Sequence, residues 1–163
     1  AKSCLFSTCT GLGYGKHALP TEANYFRNSL ESLAEEDSLT GELANCRERL
    51  VEYRDGVQIL ERFSRDVSRG HEELDGWLLA GRNMINRAEA STCLLADQLN
   101  RQGADLPPGE VPDYQRVLDD LQRLKSETER MYCGRIKPSR RGEYIRWMFE
   151  GVEKELAKTI GSN

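Results

Sequence analysis

Leu43, Leu50, Val57, Ser64, His71, Leu78 and Ile85 stand seven residues apart. Cys46, Tyr53, Leu60, Val67, Leu74, Gly81 and Ala88 form a second set, three residues further on. Eleven of these fourteen positions are apolar; Ser64, His71 and Gly81 are the exceptions. A 3-4 repeat of this length predicts helix packed at a shallow angle against other helices. The outward positions carry Glu48, Arg49, Glu52, Arg54, Asp55, Glu61, Arg62, Arg65 and Asp66, mixed charges that suit a solvated helix surface with pairs such as Glu61–Arg65. Gly56, Gly70, Gly76 and Gly81 each cost about 1 kcal/mol against Ala in a helix interior. The stretch Ser68-Arg69-Gly70-His71 coincides with the poorest core positions. The pattern over about 41–101 therefore predicts either one long helix kinked there or two helices joined near Gly70.

The flanks divide differently. Residues 1–20 form an irregular arm, with Gly11, Gly13 and Gly15 in its middle. Pro20 and Thr21 mark a helix start, with Phe26, Leu30 and Leu33 on one side and an end near Glu36. Asp37, Ser38, Thr40 and Gly41 then break the pattern before the central stretch begins. After Leu99, Gly103 is the expected helix stop, and Pro107, Pro108 and Pro112 forbid a continuing helix. A further helix is predicted over about 113–133 with Val117, Leu121, Leu124 and Met131 inward. Another follows over about 139–160, capped by Ser139, with Ile145, Phe149, Val152, Leu156 and Ile160 inward. No period-2 strand of useful length occurs. The expected fold is all-α: an elongated helical bundle, one domain over 21–163, built round the central stretch.

Composition narrows the function classes. Of 163 residues, 31% are charged and 38% apolar, and the formal net charge is −4. No apolar run approaches the ~18 residues of a membrane span. The mixed signs give no bulk argument for nucleic acid, which is not expected as a partner. No signal peptide is read at the start, because no long apolar run follows Lys2. Cys4, Cys9, Cys46, Cys93 and Cys133 make an odd count, which leaves at least one free thiol. Cys46 and Cys93 fall among apolar positions, where a reduced thiol acts as a small hydrophobe. Reduced thiols favour a cytoplasmic protein; Cys4 and Cys9 paired would favour a secreted or surface one.

Motifs for chemistry fail on inspection. Gly11-Leu-Gly-Tyr-Gly-Lys-His has Gly15-Lys16, but a phosphate loop needs Gly at 10 and Ser or Thr at 17, where Thr10 and His17 stand. His71-Glu72-Glu73-Leu74-Asp75 lacks the second histidine that would share a zinc face. Asp119-Asp120 has Arg123 where an acidic metal motif would be completed. No catalytic triad can be argued from His17 and His71. The chain therefore reads as a non-enzyme, with no cofactor or metal. One cluster stands out: Arg135, Lys137, Arg140, Arg141 and Arg146, with Trp147 beside them, form a basic loop over 135–146 that either merely complements the helix C-terminus near Gly134 or suits an acidic or anionic partner.

Val67, His71, Leu74, Trp77 and Leu78, followed by Met84 and Ile85, resemble the first helix of a spectrin-type repeat, with Trp77 at that family's tryptophan. The helix from Asp113 is similar to such a repeat's second helix. Trp147 resembles the tryptophan of either its third helix or another first helix. The resemblance covers about a third of the chain. The long loop, His71 and the N-terminal arm depart from it. It implies a coiled-coil scaffold, cytoskeletal or tethering, that contacts another protein, or a second copy of itself as a homodimer, through apolar helix seams with charged rims. The alternative is a secreted or surface bundle that binds a receptor.

Overall fold

The computed structural model describes residues 36–104, 106, 109–133 and 145–162. The N-terminal arm and the helix expected from Thr21 lie outside these residues. What is described is an all-α helical bundle, with α1 Glu36–Asp66, α2 His71–Arg101, α3 Tyr114–Tyr132 and α4 Gly151–Ser162. A π-helical turn, Arg146–Glu150, leads into α4. No strand occurs among the described residues.

Of the two arrangements open for residues 41–101, the chain takes two helices. Gly70 has φ 80°, a left-handed conformation that costs a residue with a side chain strain. The chain turns back on itself there. The heptad sets consequently pack against their own other half. Leu39, Leu43 and Cys46 of α1 meet Leu95 and Leu99 of α2. Towards the turn, Val57 and Leu60 meet Leu74 and Leu78. The weak positions are explained by the turn: Ser64 and Val67 are half-buried and His71 is exposed. The predicted interruption at 37–41 does not occur. α1 runs through it, because fully buried Leu39 sits one turn before Leu43 and extends the seam.

Gly81 has a specific reason. A Cβ there would lie 2.6 Å from Val57 Cγ2. The missing side chain lets the two helices approach closely, which offsets the helix propensity that glycine forfeits.

α2 ends as the sequence suggests. Gly103 has φ 86°. Ala104 N donates to Leu99 O at 3.1 Å and Gly103 N to Asn100 O at 3.0 Å. This pair of bonds is a Schellman stop, and Ala104 packs near Leu99 as that motif favours. α3 opens on Asp113, whose Oδ1 accepts from Arg116 N at 2.7 Å.

α2, α3 and α4 enclose the main core, with Leu79, Cys93, Leu94, Val117, Leu121, Leu124, Phe149, Val152 and Leu156. α1 lies along another side of α2. As a result α2 is buried without interruption from Asn86 to Ala96. Several polar side chains buried on α2 find partners: Asn86 Nδ2 donates to Val117 O at 2.9 Å, and Asn83 Nδ2 to Thr128 Oγ1 at 3.2 Å, whereas Asn83 Oδ1 and Ser91 Oγ have none among the described residues. Arg87 donates through Nη2 to Met148 O at 2.6 Å, within the π-helical turn. Such turns re-aim carbonyls away from the regular ladder, and here one receives a buried guanidinium.

Cys46 and Cys93 are free thiols, both buried. Burial is the largest cause that pushes the Cys46 thiol up to about 11 and the Cys93 thiol up to about 12. Unfolding returns each to the ordinary value of 9.0. Above that value the unfolded chain holds fewer protons than the folded one, so stability falls as pH rises. Urea midpoints are expected to decline between pH 9.0 and about 12. Cys46→Ala/Cys93→Ala is expected to flatten that decline relative to wild type; an unchanged slope counts against it.

Candidate functional site

Two features bear on function: a charge network that locks three helices, and an apolar ridge that no described helix covers. The network centres on Glu89 of α2, whose side chain is 5% exposed. Its Oε1 lies 2.8 Å from Arg54 Nη2 on α1 and 3.1 Å from Arg116 Nη2 on α3. Arg116 Nη1 also reaches Glu89 Oε2, at 3.2 Å, which makes the contact two-pronged. From Arg116 the chain of charges continues along α3 through Asp120 to Arg123 and Glu127. Hydrogen bonding to Glu89 raises the Arg116 pKa further above its usual value. Asp120 pairs with both Arg116 and Arg123 on the surface of α3.

The ridge lies on the back of α1. Val51, Ile59 and Phe63 are 59%, 49% and 60% exposed, although they belong to a helix whose opposite side is core. Together with Asp55 they stand four residues apart, which places them on one i±4 ridge of the helix. Trp77, in the second turn of α2, is also exposed. Single exposed apolar residues are ordinary, but several on one helix face mark a contact surface. All four are on the α1–α2 hairpin. Asp55 and Arg62 beside the ridge are exposed and have no ion-pair partner among the described residues.

These residues were not singled out by heptad reading, because they occupy positions assigned to the charged exterior. The available signal was the intrusion of Val51, Ile59 and Phe63 among Glu, Asp and Arg at outward positions. Among the described residues the seam is satisfied within the chain, and the apolar surface left uncovered on α1 is the ridge behind it. Arg135, Lys137, Arg140 and Arg141 of the basic loop lie outside the described residues. The backbone of Arg146 and Trp147 opens the π-helical turn, and their side chains also lie outside the described residues.

A cleft of about 610 Å³ opens between α2 and α3, lined by Glu72, Asp75, Leu78, Leu79, Arg82 and Met131 among others. Its lining sets three carboxylates, Glu72, Asp75 and Glu127, beside Arg82 and Arg130 and the apolar Leu78, Leu79 and Met131. No described helix is long and apolar enough to cross a membrane. Compared with protein-family models, with curated proteins and with solved structures, the chain matches none of them.

Proposed function

We propose that this chain is a non-enzymatic protein-interaction module, a helical scaffold that binds through the back of its α1–α2 hairpin. The observation that carries the reading is the ridge Val51–Ile59–Phe63, about half or more exposed on a helix whose other side buries Leu39, Leu43, Cys46, Leu50, Val57 and Leu60. The Glu89 network supports it by holding α1 on α2 and α3, so that the ridge is presented on a fixed surface. The packing of α2, α3 and α4 around one core is also compatible with the scaffold role that the resemblance to spectrin-type repeats implies. Trp77, exposed rather than in the core, joins the contact surface in this reading.

A photo-cross-linking residue at Phe63 tests the proposal, with the same residue at exposed Glu129 on α3 as the control. Position 63 is expected to give saturable protein adducts in cell extract, competed by unmodified chain but not by Ile59→Glu/Phe63→Glu. Equal labelling from 63 and 129, or competition by the double variant, would overturn it.

A further inference from the structure

Resting on that reading, we infer that the ridge pairs with the same ridge of a second copy, two α1 helices crossing antiparallel about a two-fold axis beside Ile59. The occupant is indicated by the arrangement of charge. Asp55 and Arg62 are exposed, opposite in sign and seven residues apart, so they project from nearly the same side of α1. Neither has an ion-pair partner among the described residues, although Arg54, Arg49 and Arg82 nearby all have one. They are too far apart along the helix to pair with each other, since seven residues span about 10 Å.

An antiparallel two-fold axis between residues 58 and 59 removes this mismatch. It carries position 55 of one copy opposite position 62 of the other, and repeats the exchange at the far end. Asp55 then meets Arg62 of the second copy twice, while Ile59 meets Ile59 at the centre. Val51 and Phe63 extend the apolar contact towards its two ends. Ridges of the i±4 type favour this kind of helix crossing, and a two-fold interface must be self-complementary in just this sense. A parallel pairing would set Asp55 against Asp55 and Arg62 against Arg62, like charges that disfavour it. One helix crossing buries an area at the low end for specific interfaces, so the dimer should be weak, with a Kd on the order of micromolar or above, and weakened further by salt.

Sedimentation equilibrium of the purified full chain, over a concentration series and at two salt levels, is the test. Wild type is expected to dimerise reversibly. Phe63→Glu and Ile59→Glu should each weaken dimerisation by roughly tenfold or more, with unchanged circular dichroism because both sites are exposed. Asp55→Arg alone and Arg62→Asp alone should each be monomeric. Mixed together they should form a heterodimer, since every 55–62 contact again joins opposite charges, and the swap of both in one chain should restore the homodimer. A wild-type monomer throughout, or singles that fail to complement when mixed, overturns the pairing. The cross-linking outcome at position 63 remains separate: adducts with a different protein would uphold the interaction module while the homodimer fails.

Discussion

Removing both cations from Glu89, in Arg54→Ala/Arg116→Ala, is expected to cost about 3 kcal/mol of folding stability, the lower end of the range for breaking a buried ion pair. The lower end applies because Arg54 and Arg116 are about half exposed, so water partly replaces them. Glu89 itself is 5% exposed and cannot turn to solvent without opening the contact between α1, α2 and α3. Glu89→Gln in the double-alanine background should therefore recover part of the loss, because the carboxylate without a partner is the source of the cost. Glu89→Gln in the wild-type background should cost less than the double variant, since both guanidiniums remain hydrated. Urea unfolding of the four proteins checks the ordering. Equal stability of the double-alanine chain and wild type would mean the network contributes nothing to folding.

The second large effect concerns Gly81. Alanine there would ordinarily add about 1 kcal/mol to a helix. In this position its Cβ falls 2.6 Å from Val57 Cγ2, so α1 and α2 must move apart or Val57 must leave its rotamer. Overpacking of a fitted core costs about 1–3 kcal/mol. Gly81→Ala is thus expected to destabilise the protein by up to about 2 kcal/mol net, and Gly81→Leu by about 3 kcal/mol or more. Val57→Ala removes the obstructing methyl groups. The cycle of Val57→Ala, Gly81→Ala and the double variant should show favourable coupling of about 1 kcal/mol, measured by urea titration. A stabilising Gly81→Ala, or additive single effects, would remove the close approach as the reason for this glycine.

Much of the helical architecture was legible because periodicity reports burial directly. Leu43, Cys46, Leu50, Val57, Leu60, Leu74, Leu78 and Ala88 are buried as the heptad sets require. Asp113 and Gly103 sit at the helix ends for which their chemistry suits them. The direction of the chain at Gly70 was not decided by that pattern. A heptad set continues in step whether the helix runs straight or folds back, and only the left-handed glycine separates the two. The interruption expected at Asp37–Gly41 shows the reverse failure: local turn chemistry lost to the burial of Leu39. Sequence could not show that Glu89 is buried either, since its partners come from 35 residues before and 27 residues after it. The ridge of α1 was visible only as a defect in the pattern, three apolar residues where charge was expected. Gly81 was one of three exceptions in the seam, and its role needed the position of Val57.

The bond from Arg87 to the Met148 carbonyl joins residues 61 apart, against 35 for Arg54–Glu89, 31 for Asn86–Val117 and 45 for Asn83–Thr128. Loop-closure entropy grows with that separation. The hairpin of α1 and α2, and the pairing of α2 with α3, close short loops and are favoured early in folding; the docking of α4 on α2 closes the longest. Contacts absent from the folding transition state govern the rate of unfolding. The buried guanidinium thus stands where the chain's lifetime in the folded state is set, more than the speed at which that state is reached.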